Sequence, residues 1–278
     1  MRNLAESLSV PIPFSDKLRS VGPALRRFHR LLRPASAWRA ALESGRIPAD
    51  APILCYHAVE DSEASHDPFG LDVRPACFAQ QMAWLARHRY RAVALDDVLP
   101  SPNPEYDGRL VAITFDDGYR SVAEHAAPLL EPYGYVATVF AVVERVGGTN
   151  RWEEESDVRA RTFLSWDELR RLADAGWTVG SHTMTHRALT EISDHELKYE
   201  LVESKRKIEE AMGREVRFLA YPYGRCDSRV AAAALAAGYD FGIALAPPKP
   251  GRMAVPRRSI CRSTGMWSFR FEVRLPQG

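Results

Sequence analysis

"LVAITFDDG", Leu110 to Gly118, opens as an uncharged run of apolar and β-branched residues and closes on two adjacent carboxylates and a glycine. A short run of this kind, without polar alternation, reads as a strand buried on both faces, which is the pattern of a parallel sheet covered by helices. Gly118 stops it. Asp116 and Asp117 then stand side by side at the strand's C-terminal end, where their charges repel. An Asp-Gly turn explains one of them by local geometry. A division of labour, with one carboxylate on a cation and one on a proton, explains both and requires partners elsewhere in the chain.

Outward from this strand the chain alternates short β-rich runs with amphipathic helices. "ILCYH", "RAVAL", "LVAITF", "VATVFAV", "WTVGSH", "RFLAYP" and "FGIAL" are the strand candidates, and "CFAQQMAWLARHR" and "HELKYELVESKRKIEEAM" are helical. Alternation of this kind predicts an α/β fold with a parallel sheet, and about seven such units predict a closed or nearly closed (β/α) barrel. Ser165 with Glu168, and Ser193 with Glu196, have the spacing of capping boxes and mark two helix starts. In such a barrel the loops after strand C-termini surround the active site. The long polar stretches "EDSEASHDPFGLDVRP" and "ERVGGTNRWEEESDVRAR" both follow a predicted strand and are expected there.

Residues 1–50 differ from residues 51–278, which are expected to form the catalytic domain. "LRRFHRLLRPASAWRAAL" carries Leu25, Phe28, Leu32 and Ala35 at helical spacing among Arg26, Arg27, Arg30 and Arg33, a basic amphipathic helical extension. It suits either peripheral contact with an anionic membrane surface or packing on the catalytic domain. The chain has 37 Lys and Arg against 36 Asp and Glu, a net charge of +1, and no basic strip interleaved with aromatics, so nucleic acid is not an expected partner. The four cysteines form no CxxC pair and read as reduced thiols rather than a zinc knot. No apolar segment approaches the ~20 residues of a membrane span and no signal-peptide pattern opens the chain, so a cytoplasmic, at most membrane-peripheral, protein is expected.

Three further motifs follow predicted strands, and a fourth lies near the end of the chain. "SHTMTH" offers His182 and His186, which a helical turn would place on one face as two ligands of one cation. No Glu lies between them as in HExxH, so the base must come from another strand, and Asp116 or Asp117 can supply it. "FLAYPYG" ends in Pro222-Tyr223-Gly224, a turn able to aim a backbone N–H into the barrel mouth. "YHAV" offers His57, and "VPRRSI" offers Arg257 or Arg258.

In this order the motifs resemble the polysaccharide deacetylase family, the NodB-homology carbohydrate esterases of family 4, over roughly residues 50 to 275. The poly-N-acetylglucosamine and exopolysaccharide deacetylase subgroup, with "YH" after the first strand and "AYPYG" as third motif, is the nearer likeness. The resemblance implies a deformed (β/α)7-type barrel and a metal-dependent N-deacetylase of N-acetylhexosamine units in a glycan, glycolipid or exopolysaccharide precursor. It implies one divalent cation, foremost Zn2+, with Co2+, Ni2+ or Mn2+ as substitutes, on Asp117, His182 and His186. It makes Asp116 the general base, the Tyr223 N–H an oxyanion donor, His57 the general acid, and Tyr221 and Pro222 substrate contacts. The chain departs from the commonest pattern in two places. No histidine follows His195, so the usual C-terminal acid is missing, and Ala220 stands where an Arg often starts the third motif. Arg257 is expected to reach back to Asp116 instead. Trp152 is a candidate sugar-stacking residue. The alternatives are a carbohydrate-binding pseudo-enzyme of a surface-polysaccharide pathway and a hydrolase of another non-peptide C–N bond.

Overall fold

The computed structural model describes residues 51–62, 67–99, 109–149, 161–247 and 249–275. The expected N-terminal extension, and Trp152, lie outside the described residues.

Strands β1 (Ile53–Tyr56), β2 (Tyr90–Val93), β3 (Arg109–Phe115), β4 (Thr138–Ala141), β5 (Thr178–Ser181), β6 (Phe218–Ala220), β7 (Phe241–Leu245) and β8 (Val255–Ser259) are all parallel. Seven of them close a ring in the order β1, β3, β4, β5, β6, β7, β8 and back to β1. The barrel is deformed because β2 and β4 share one edge of β3. Its first half pairs with β2, from Tyr90 on Arg109 to Val93 on Ala112, and its second half with β4, at Thr114 on Thr138 and Phe115 on Val139. β2 is therefore a wedge at the bottom of the wall and not a full stave.

One stave has no counterpart among the seven strand candidates. β8 pairs with β7 through Leu245 and Arg257 and with β1 through Leu54 and Arg258, and so closes the ring. Its sequence, "VPRRS", lacks an apolar run because one of its inward positions carries a charge.

The helices are α1 (Pro75–Arg87), α2 (Ala127–Leu130), α3 (Trp166–Asp174), α4 (Asp194–Met212), α5 (Ser228–Ala236) and α6 (Met266–Arg274). Both capping boxes form: Ser165 and Ser193 accept the N–H of Glu168 and Glu196, whose carboxylates take the cap N–H in return. The alternation of each strand divides the core. Outward residues such as Leu54, Tyr56, Val111, Ile113 and Phe115 join the layer under the helices. Inward residues such as Ile53, Leu110, Ala112, Phe140, Phe218, Phe241 and Val255 fill the barrel. Along β3 the inward set runs Leu110, Ala112, Thr114 and then Asp116; along β8 it runs Val255 and then Arg257; along β1 it runs Ile53, Cys55 and then His57. These three staves are apolar low in the barrel and polar at the C-terminal end. Parity thereby sets Asp116, Arg257 and His57 at the mouth.

Candidate metal and catalytic centre

The chain turns sharply at each strand end that supplies the centre. Asp117, Thr183, His186 and Tyr223 all have positive φ, at 66°, 69°, 65° and 59°, and they are four of the six non-glycine residues in that region among those described. Left-handed backbone on such residues is costly and gathers where geometry is over-determined for function.

Asp117 lies between two imidazoles. Its Oδ1 is 3.4 Å from His182 Nε2 and 3.4 Å from His186 Nε2, and the three side chains present ligand atoms within 4.8 Å of one another. His182 is buried, and its Nδ1 lies 2.8 Å from the Ala220 carbonyl, which can only accept. The proton therefore sits on Nδ1 and a lone pair faces Asp117. Burial, outweighing Asp116 and Asp117, brings the His182 pKa down to about 4. Burial also brings His186 to about 4. Both rings are thus neutral at pH 7, the state in which imidazole binds metal. Asp117 Oδ1 is buried and makes no hydrogen bond among the described residues.

An acceptor oxygen facing a neutral imidazole lone pair is repulsive unless a cation lies between. The 3.4 Å spacings match two ligands about 2.0–2.1 Å from one tetrahedral ion. The residues present therefore fit a divalent metal.

The two histidines do not meet on a helix. Residues 182–187 form no helical turn. Glu200, buried on α4, accepts the N–H groups of Met184 (2.9 Å) and Thr185 (3.0 Å) and the Thr185 hydroxyl, and so folds the segment into a tight loop. Glu200 has no signal in the local pattern around the histidines, because it is supplied from sixteen residues beyond Met184.

Asp116 occupies the inward position beside this set, with Oδ2 3.8 Å from His182 Nε2. Arg257 grips it with both ends: Nη1 donates to Oδ1 at 2.6 Å and Nη2 to Oδ2, while Nη1 also reaches Thr114 Oγ1 at 3.2 Å. Both side chains are buried. Burial alone would raise the Asp116 pKa, but Arg257, then His182 and His57, hold it well below the usual carboxylate range. Arg258, the neighbour, turns outward to the Glu272 carbonyl and carboxylate.

His57 brings a donor atom within 4.8 Å of those of Asp116 and Cys55, and its buried Nδ1 makes no hydrogen bond. Cys55, unremarked in the sequence, points its thiol at Asp116 Oδ2 from 3.6 Å, and burial pushes its pKa well up. Cys55, His57 and Asp116 form a second group of donors, but Arg257 already neutralises Asp116 and Cys55 is held as a thiol. The Asp117 group is the better cation site.

In the Pro222–Gly224 turn, Tyr223 is 58% exposed and lays its ring 4.9 Å from that of His186. Gly224 is required: with φ at 67°, a Cβ there would lie 2.4 Å from Leu245 Cβ. Tyr221 and Pro222, expected as substrate contacts, both have buried side chains. Tyr221 is fully buried and donates its hydroxyl to Met253 O at 2.8 Å, and Pro222 is buried beside it. The parity of β6 turns Phe218 and Ala220 inward and Tyr221 into the helix layer.

Residues 103–242, half the chain, match the family model for polysaccharide deacetylase. The chain belongs to the polysaccharide deacetylase family. Over 207 residues it is 26% identical to a Bacillus subtilis protein whose own designation as polysaccharide deacetylase is inferred, covering 74% of this chain and 68% of that one. Over 215 residues it is 25% identical to the poly-beta-1,6-N-acetyl-D-glucosamine N-deacetylase of Staphylococcus epidermidis, covering 70% and 72%. The fold is shared with the Streptococcus pyogenes deacetylase PplD, solved in complex with acetate, at a TM-score of 0.69 and 20% identity, over 82% of this chain and 100% of that one. This polysaccharide deacetylase carries Asp116, Asp117, His182, His186 and Tyr223 within the matched residues. His57 and Arg257 lie outside them and are placed by the barrel's geometry. Among the described residues no helix is long and apolar enough to cross a membrane.

Proposed function

We propose that the protein is a metal-dependent N-deacetylase of N-acetylhexosamine units in a glycan, glycolipid or exopolysaccharide precursor. The observation that carries this reading is the Asp117 oxygen, without a hydrogen bond, held 3.4 Å from two neutral imidazoles and beside a second carboxylate locked by arginine. Asp117, His182 and His186 would hold one divalent cation, with Zn2+ first and Co2+, Ni2+ or Mn2+ able to replace it. Such a cation supplies Lewis-acid polarisation of the acetyl carbonyl and a lowered pKa for water.

The chain's own residues do the rest. Asp116 takes the proton of the attacking water. Arg257 fixes its orientation and keeps it ionised. A carboxylate stabilised this strongly as an anion is a poor acceptor from bulk water, and a cation on Asp117, His182 and His186 would ease the transfer by lowering the pKa of water. The Tyr223 N–H, aimed by the Gly224 turn, faces the oxyanion as the carbonyl becomes tetrahedral. His57 delivers a proton to the leaving amine as the C–N bond breaks and acetate forms. The 25% identity to a poly-N-acetylglucosamine deacetylase supports a β-linked N-acetylglucosamine polymer or its precursor as substrate.

The test is acetate release from N-acetylglucosamine oligomers by metal-stripped protein, with and without added zinc or cobalt. Release that depends on metal and vanishes in Asp116→Asn is expected. Protein that binds no metal, or releases acetate equally without it, would overturn the mechanism. Metal binding with no release on polymer or glycolipid acceptors would favour the carbohydrate-binding alternative.

A further inference from the structure

α6 carries an exposed face that packing within the described residues leaves largely open, with one contact back to the core where the Arg274 guanidinium lies 5.4 Å from the Trp84 ring. It begins beyond the connection from β8 and turns Phe269 and Val273 into the core, with Phe269 edge-on to Trp84 at 5.9 Å. Its outer face, at helical spacing, is Trp267, Arg270, Phe271, Arg274 and Leu275, all exposed. Trp267 is 79% and Phe271 52% exposed, and the two rings lie nearly parallel, 5° apart in tilt with centroids at 6.0 Å. Phe69, 83% exposed, flanks the same connection. Its turn is anchored there by Arg262, whose N–H donates to Gly70 O at 2.8 Å and whose side chain donates to Asp67 Oδ2 at 2.9 Å. Three of the seven exposed large apolar side chains among the described residues, Trp267, Phe271 and Leu275, thus lie at this corner of the barrel, and a fourth, Phe69, is on the turn tied to its connection. The neighbouring Glu272 is turned away, against Arg258.

We infer that this corner is a contact surface for an anionic phospholipid bilayer. Trp and Phe favour the interfacial depth of a bilayer, where an apolar ring meets polar headgroups, and the arginines on the same face meet the lipid phosphates. Charge selects this occupant. The N-terminal stretch, with Arg26, Arg27, Arg30 and Arg33, would bring cations onto Arg270 and Arg274, and a second copy related by a two-fold axis would bring the same arginines together. A neutral glycan has no use for the arginines, and a saccharide site is a cleft, whereas this is the convex side of a helix. A bilayer contact here would hold the enzyme at the surface where lipid-linked or membrane-extruded glycans are found. The inference stands on this face alone and does not depend on the deacetylase reading.

The test is co-sedimentation of the whole chain with vesicles of phosphatidylglycerol and phosphatidylcholine in equal parts, and with phosphatidylcholine alone. Binding to the anionic vesicles that weakens with salt is expected. Trp267→Ser with Phe271→Ser, and separately Arg270→Glu, should each weaken partition roughly tenfold or more. Because these positions are exposed, the melting temperature and acetate release in solution should stay at wild-type values, which separates lost lipid contact from lost folding. A variant with Arg26, Arg27, Arg30 and Arg33 changed to Gln should retain at least the helix-dependent share. The inference is overturned if the helix variants bind vesicles as wild type does or if only the N-terminal variant loses binding. It is equally overturned if the variants lose N-acetylglucosamine oligomer binding, or a concentration-dependent dimer, rather than lipid.

Discussion

Replacing Arg257 by Met removes the partner of a carboxylate that has no other cationic side chain in hydrogen-bond contact and is almost entirely out of water. Both groups are buried, the guanidinium wholly and Asp116 to within 4%. Breaking such a pair from one side leaves an uncompensated buried charge, a cost of about 3–5 kcal/mol. Adding Asp116→Asn leaves only a neutral amide to satisfy, a penalty nearer 1–3 kcal/mol. The double variant should therefore be more stable than Arg257→Met alone, with a coupling of about 2 kcal/mol or more. Urea denaturation of the metal-free proteins measures this directly. The pH dependence has a fixed sign. In the wild type the folded Asp116 pKa is depressed, so its contribution is full above the unfolded carboxylate value and is lost only as pH falls through the folded one. Without Arg257 the burial that raises the pKa loses its main offset. The variant should then recover relative to wild type as pH falls from neutrality toward about 4, where the unfolded carboxylate also protonates. Single effects that sum to the double within about 0.5 kcal/mol, or a deficit that widens in acid, would refute the pair as the energetic unit of the mouth.

Glu200→Gln removes the carboxylate that gathers two N–H groups and a hydroxyl of the histidine loop, and zinc affinity by calorimetry should fall by roughly 10–100-fold with little change in overall fold. Wild-type affinity would show that the loop holds its shape without it. His57→Gln should lower kcat by roughly 10²–10⁴-fold with metal stoichiometry unchanged, and full turnover would move the proton donor elsewhere. Gly224→Ala forces a Cβ to 2.4 Å from Leu245 at a left-handed φ, and should destabilise by about 1–3 kcal/mol in chemical denaturation. Ser193→Ala, which breaks one capping box far from the mouth, should cost about 1 kcal/mol and leave kcat/KM unaltered.

What the sequence displays most clearly is whatever rests on local pattern. Asp116 and Asp117 are legible because an apolar run ends on them, and the two capping boxes because their spacing is the mechanism. β8 is hidden for the opposite reason: its inward Arg257 serves a carboxylate on another stave, so the hydrophobic signal that marks a buried strand is absent where the strand matters most. The helical reading of His182 and His186 fails because Thr183 and His186 take left-handed backbone and Glu200 holds the loop from α4, neither of which has a local signature. Tyr221 belongs to a recognisable motif, and its burial in the helix layer is legible from strand parity counted from Phe218. Parity also orders Cys55 and His57 toward the mouth, a reading that needs the strand boundaries first.

The seam between β1 and β8 carries a further consequence. Asp116 and Arg257 lie 141 residues apart and are joined only across the last stave to be laid. As the chain is synthesised, the proposed cation ligands Asp117, His182 and His186 are already present in the emerged polypeptide while Arg257, the clamp on Asp116, is still to come. On the proposed reading, chemistry is thereby tied to circumference: a nascent, nicked or shortened chain lacking β8 would have no guanidinium on Asp116 and so no oriented base. Hydrolytic competence becomes a report that the ring has shut.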